Sequence, residues 1–155
     1  MRSCLAFLLV VPVLALADTK PEEKKLELTE SEKGIIDQTN AQRKAAGLPE
    51  LVPNAKLMEA ARGHSTNMAS QGRMSHVLDG RSHADRATAA GYSYSSLGEN
   101  IAWNQQTPEE VLGCWMRSSG HRANILGRGY TEIGVAVAVN ERGERYWTQV
   151  FGTPR

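Results

Sequence analysis

A chain of 155 residues carrying 18 basic and 17 acidic side chains has a formal net charge of +1. That balance excludes the electrostatic footprint that nucleic acid or an anionic membrane would require of a partner. Two cysteines exclude a disulfide-dense scaffold, and the length allows one domain with its own core.

The chain opens with Arg2, an apolar run over residues 5–16 and the small-residue end Ala15-Leu16-Ala17, the three parts of a secretory leader. The run is shorter than the roughly 20 residues that span a bilayer, and a polar stretch begins at Asp18. Cleavage is expected after Ala17, releasing the protein to the extracellular or periplasmic side with no stable membrane insertion. The 138 residues left carry 17 basic and 17 acidic side chains. Cys114 is then the only cysteine, so the core must hold without a disulfide, and a buried place in a helix is expected for it. Residues 18–28, charged and poor in apolar groups, read as a flexible tether. Residues 29–155 read as the domain, and a monomer is expected.

Thr29 with Glu32 forms a capping box that opens a first helix. Ile35, Ile36, Thr39, Asn40 and Arg43 recur along it at helical spacing, and Gly47 stops it. Asn54 caps a second helix with the inner stripe Leu57, Ala61, His64 and Met68, running out near Gln71-Gly72. His64 on that stripe reads as a hydrogen-bonded core histidine. Residues 82–90 read as a short third helix, with His83 facing solvent at its start.

The segment 92–98 is rich in turn residues, and 99–103 alternates as a strand with Glu99, Ile101 and Trp103 on one side. Thr107-Pro108-Glu109-Glu110 begins a fourth helix: a cap, a proline at the first turn, and acids at the positive end of the dipole. It is expected to give way at Ser119-Gly120. Over 133–139, Ile133, Val135, Val137 and Val139 share one face while Gly134, Ala136 and Ala138 share the other. Neither face is polar, so both are expected to be covered. Residues 140–144 form a hairpin turn into a partner strand over 145–151. The pattern is α+β: an α/β/α sandwich with a mainly antiparallel sheet flanked by helices.

Four segments carry a specific resemblance. They are Asn40-x-x-Arg43, Gly98-Glu99-Asn100-Ile101, Gly120-His121-Arg122-Ala123-Asn124-Ile125 and Tyr146-Trp147-Thr148-Gln149-Val150-Phe151-Gly152, with Met74-Ser75-His76 after the second helix. Together they span about residues 31 to 152. In this order they resemble the bacterial branch of the CAP superfamily (cysteine-rich secretory proteins, antigen 5 and pathogenesis-related proteins), the family of the SCP-like domain. The resemblance implies the same sandwich with a shallow central groove lined by two histidines and two glutamates. His76 matches the first histidine, Glu99 the first glutamate and His121 the second histidine. Ser118 stands where the second glutamate would fall.

Three chemistries are open to such a groove. His76, Glu99 and His121 carry donors suited to zinc or another divalent cation, although they come from separate elements and no cofactor is required. Ser118, His121 and Glu99 carry the groups of a serine-hydrolase triad, and a metal-dependent, protease-like reaction is the other hydrolytic alternative. No nucleophile elbow accompanies them. The reading favoured is a non-enzymatic binding module in which His76, Glu99, Ser118 and His121 line a groove for a lipid, peptide or envelope ligand, with no nucleic acid as partner. Asn40 and Arg43 are expected to bond backbone groups and pin the first helix, and Trp115 and Trp147 to lie in the core.

Overall fold

The computed structural model describes residues 26–155. The expected leader over 1–17 and the greater part of the expected tether lie outside the described residues. Residues 26–28, its last three, are docked: Leu26 and Leu28 pack against the core, and the Glu27 carbonyl accepts a hydrogen bond from Arg62.

Among the described residues, five helices and four strands follow in the order α1 (Glu30–Ala45), β1 (Val52–Pro53), α2 (Ala55–Gln71), α3 (His83–Ala89), β2 (Tyr94–Trp103), α4 (Pro108–Arg117), α5 (Ser119–Ile125), β3 (Glu132–Val139) and β4 (Arg145–Pro154). The strands form one sheet in the order β1-β3-β4-β2, antiparallel except where β1 runs parallel to β3. Among the described residues, no helix is long and apolar enough to cross a membrane.

The starts of the helices follow from their caps. Thr29 and Glu32 close the capping box of α1, Ser82 and Asp85 a second one on α3, and Asn54 and Thr107 cap α2 and α4. Residues paired across the ladder share a face, so Glu99, Val150 and Gly134 point one way and Asn100, Gln149 and Val135 the other. The first face is covered by α2. A Cβ on Gly134 would fall inside the Leu57 carbonyl, so only glycine lets the helix backbone lie this close to β3. The second face holds the larger cluster, in which Ile35, Val111, Trp115 and Ile125 meet Ile133, Val135, Trp147 and Phe151. Both faces of β3 are thus covered, one by large side chains and one by close approach. Trp115 and Trp147 are core residues, each 1% exposed.

Three local expectations are corrected, and one short strand went unread. Strand β2 begins at Tyr94 within the turn-rich segment, because β4 runs on to Pro154 and gives those residues a partner, with an irregular register between Tyr94 and Ser96. Strand β1, two residues ending in a proline, carries no periodic signal and exists only by pairing with β3. Gly120 does not end the helical region: Ser118 adopts an extended backbone (φ −90°, ψ 123°), ending α4, and α5 restarts at the next residue. Cys114 is half-buried rather than buried, with Arg117 Nη2 3.2 Å from its sulfur.

Arg43 is fully buried and, among the described residues, has no carboxylate as a bonding partner. Its guanidinium donates to the carbonyls of Pro49, Ile125, Gly127 and Tyr130 at 2.9–3.2 Å. Asn40 makes a two-way bond with the Leu51 backbone at 2.8 and 3.0 Å. These two side chains pin α1 to the chain before β1 and after α5, which fixes where α5 can lie.

Candidate functional site

Strand β2 is an edge of the sheet, and an edge exposes carbonyls that a neighbouring chain could pair with. Here the outward carbonyls are occupied. Leu97 accepts from Tyr130 Oη at 3.2 Å, Glu99 from Asn124 Nδ2 at 3.1 Å, and Ile101 from Trp115 Nε1 at 3.1 Å. Helix α5 is held along this edge, and the Asn100 side chain bonds the His121 carbonyl at 3.0 Å. Asn100 in turn meets Asn124 and Gln149, and Gln149 donates to Thr39 of α1 at 2.8 Å. This satisfied polar chain crosses from α1 through β4 and β2 to α5 and sets the position of His121.

Glu99, beside Asn100 on the strand, turns to the opposite face. Its Oε1 accepts a 2.8 Å hydrogen bond from His76 Nδ1, and its Oε2 lies 2.6 Å from Arg86 Nη2 of α3. An ionised carboxylate only accepts, so the proton of His76 is assigned to Nδ1, leaving Nε2 as the free ring nitrogen. The Glu99 side chain is 1% exposed and that of Arg86 10%, whereas that of His76 is 51% exposed. Burial alone would raise the Glu99 pKa. The hydrogen bond from His76 and the charge of Arg86 outweigh it and hold the carboxyl below its ordinary value. His121 is half-buried, and burial first and the nearby His76 second lower its pKa, so its imidazole stays neutral further into acid.

The structure brings His76 and Glu99 into contact and sets His121 near enough to feel the charge of His76. Ser118 lies between α4 and α5, and its hydroxyl makes no capping bond. Both Glu99 oxygens are committed to His76 and Arg86 rather than to the His121 ring. Among the described residues, no three His, Cys, Asp or Glu side chains are arranged to hold a metal ion. A three-ligand zinc site built on Glu99 therefore does not fit: the carboxylate orients an imidazole and neutralises a guanidinium instead.

Sequence reasoning did not single out Arg86, whose place on a short polar helix gives no sign of its partner. Asn100 and Asn124 lie inside the segments that carry the family resemblance, and that was their available signal. His64 is core, as expected, but its hydrogen bonds are not there: the ring is 0% exposed and neither nitrogen has a partner among the described residues. The Ser75 backbone lies beside it outside bonding geometry, and burial pushes its pKa down to about 4. His83 is half-buried at the start of α3 rather than fully solvent-facing. Met74 and Val77, 48% and 52% exposed, lie on either side of His76 in the sequence.

Comparison with known proteins agrees with this architecture. The model of the CAP family, described as the cysteine-rich secretory protein family, matches residues 36–151. The uncharacterized protein YkwD of Bacillus subtilis (strain 168) is 41% identical over 121 residues, which is 77% of this chain and 46% of YkwD. The crystal structure of an extracellular protein containing an SCP domain, from Bacillus anthracis str. Ames, superimposes with a TM-score of 0.72 at 30% identity, covering 79% of this chain and 40% of that one. An outer surface protein of Borrelia burgdorferi gives a TM-score of 0.78 at 18% identity, covering 84% of this chain and 97% of that one, a likeness of fold alone. The chain spans less than half the length of the curated relatives it matches.

Proposed function

The chain belongs to the cysteine-rich secretory protein (CAP) family, and from that premise we propose that it is an exported, non-enzymatic binding module. Its ligand is an amphiphile, an apolar chain with an anionic head. The observation that carries this reading is the division of labour at Glu99. A buried carboxylate clamped by Arg86 fixes the His76 ring so that Nε2 faces outward, with the exposed Met74 and Val77 on either side in the sequence. These apolar side chains suit the chain of the ligand. The His121 ring offers an N–H to the anionic head, with the outward edge of the His76 ring beside it. Export is supported by the leader-like start and by the extracellular relative from Bacillus anthracis.

Hydrolysis is disfavoured on the same geometry. Glu99 has no free oxygen to orient His121, and the Ser118 hydroxyl is not engaged as a nucleophile. The experiment that separates the classes pairs dodecyl phosphate as a binding probe with p-nitrophenyl esters of short and medium chain as turnover probes. The reading expects saturable binding of the first and no turnover of the second above the rate in buffer. Ester turnover abolished by Ser118→Ala would establish the hydrolase instead.

A further inference from the structure

The two edges of the sheet are finished differently. On β2 the outward carbonyls of Leu97, Glu99 and Ile101 are taken by Tyr130, Asn124 and Trp115. On β3 the cover stops part-way. The Ile133 carbonyl accepts from the Asn54 N–H after β1, and the Val135 N–H donates to Met58 Sδ at 3.1 Å. Backbone groups alternate along an antiparallel strand, so the N–H and C=O of Val137 and Val139 also face away from β4. Among the described residues, no hydrogen bond reaches them. We propose that the protein self-associates through this edge. Two copies join their β3 strands antiparallel about a two-fold axis at Ala138, making one continuous sheet.

The bare stretch is open to solvent. Val139 is 51% exposed, and with Ala138 it borders a groove of about 630 Å³ walled by the exposed Thr66 and Ser70 of α2. The usual protection of a strand edge, a lysine, a proline or a bulge, is absent from Val137 to Val139. The side chains dictate what can pair there. Val137 packs against the larger core cluster, on the face it shares with Val139, and Ala138 against the cluster of Met68 and Tyr146 under α2. A strand laid alongside must therefore read apolar, small, apolar. Val139, Ala138 and Val137 of a second copy, running antiparallel, supply that pattern. Val137 then faces Val139 of the second copy, and each such pair exchanges both of its N–H···O bonds. Charge does not oppose the meeting. The stretch carries no ionisable group, and a formal net charge of +1 gives little repulsion between copies.

The stretch is bounded on both sides. Strand β1 and Met58 cover it below, and at Asn140 the chain turns back towards β4, with the Asn140 N–H donating to the Glu144 carbonyl at 3.0 Å. So short a run makes a weak dimer that forms at high concentration. It departs from the monomer expected from the sequence, which shows strands but not which edge is left bare. An extended peptide from another protein is the competing occupant. A peptide gains only the short run of main-chain bonds, whereas the two-fold axis also sets the Thr66 and Ser70 walls of both copies beside one another. The histidine site lies at the far edge of the sheet, beyond β4, so the inference does not depend on the amphiphile reading.

Analytical ultracentrifugation between about 20 μM and about 1 mM tests it. The average mass should rise towards that of a dimer. The NMR amide signals of Val137 and Val139 should move with it, while those of His76 and His121 stay in place. Val139→Pro removes an N–H that faces away from β4, so the β3–β4 ladder stays intact. It should weaken association by at least about tenfold, with its melting midpoint showing that it is folded. Val139→Lys, which puts a charge on the edge, should do the same and keeps the test open if the proline variant unfolds. Val139→Ile, which keeps both the N–H and the apolar side chain, should associate like wild type. The proposal is overturned by a monomer throughout this range, by unchanged association in folded Val139→Pro or Val139→Lys, or by a dimer whose shifts map to another surface. It is also overturned if the acetylated peptide Thr-Val-Ala-Val-Thr shifts the edge signals of a protein that stays monomeric.

Discussion

Glu99 Oε2 lies 2.6 Å from Arg86 Nη2, a contact between an edge strand and a seven-residue helix in which both side chains are almost wholly withdrawn from water. Removing one partner of such a pair leaves the other charge buried, and the penalty exceeds what the pair itself contributes. Arg86→Met should therefore destabilise the domain by about 3 kcal/mol, roughly 10 °C in the thermal midpoint for a chain of this size. Adding Glu99→Gln to Arg86→Met should recover part of the loss, because the stranded charge is then gone. Thermal unfolding of the two variants checks it, and a double variant less stable than Arg86→Met would refute the account of the pair.

The same pair sets an acid limit. The Glu99 carboxyl titrates below its ordinary value of 4.5 in the folded protein. Its contribution is therefore complete above that value and is lost as pH falls through the lower, folded-state pKa. Over this acid range the thermal midpoint of Glu99→Gln should fall less steeply than that of wild type. Equal slopes in a pH series of melting curves would contradict the depressed carboxyl.

His64 acts at milder pH and by a different cause. Burial without a partner lowers its pKa from 6.5 to about 4, so the unfolded chain takes up a proton in that window that the folded chain refuses. Stability should decline as pH falls from 6.5 towards 4, by about 3 kcal/mol from this residue. His64→Leu, which removes two unpartnered nitrogens from an apolar stripe, should be as stable as wild type or more so at pH 7. Urea unfolding at pH 7 and pH 4.5 should show a smaller decline in the variant. Parallel declines would mean that His64 is bonded and titrates normally.

Arg43 concerns the fold behind the site. Four carbonyls converge on one guanidinium, and an ammonium with three donors on a flexible stem cannot reproduce that fork. Arg43→Lys should cost about 3 kcal/mol, close to the loss in Arg43→Met, since both strand buried carbonyls. It should also disturb the His121 backbone resonance, because the Arg43 bonds to Ile125 and Gly127 anchor the end of α5. A stable Arg43→Lys variant with unmoved α5 signals would contradict this role.

Much of the architecture was legible because caps and periodicity are local. Thr29, Asn54, Ser82 and Thr107 each mark a helix start, and the two-faced apolar pattern of β3 requires cover on both sides. What was hidden depends on distant partners. The seven-residue α5 follows an extended serine and contains a glycine early in its run, which reads as a stop. Strand β1 has no meaning without β3. At the site, the family resemblance located His76, Glu99 and His121, yet no spacing rule ties Arg86 to Glu99 or explains a core histidine with unpartnered nitrogens. The first follows from the face of β2 that Glu99 leaves, a property of register, and the second from the packing of α2 against the sheet, neither of which composition records.

The central claim is that the imidazoles of His76 and His121, not a Ser118 nucleophile, meet the ligand. It is tested most directly by calorimetric titration of dodecyl phosphate into wild type, His76→Ala, His121→Ala and Ser118→Ala. The account predicts saturable binding to wild type and Ser118→Ala with the same affinity, and at least about tenfold weaker binding to either histidine variant. Wild-type affinity in both histidine variants, or loss of binding in Ser118→Ala alone, would contradict it.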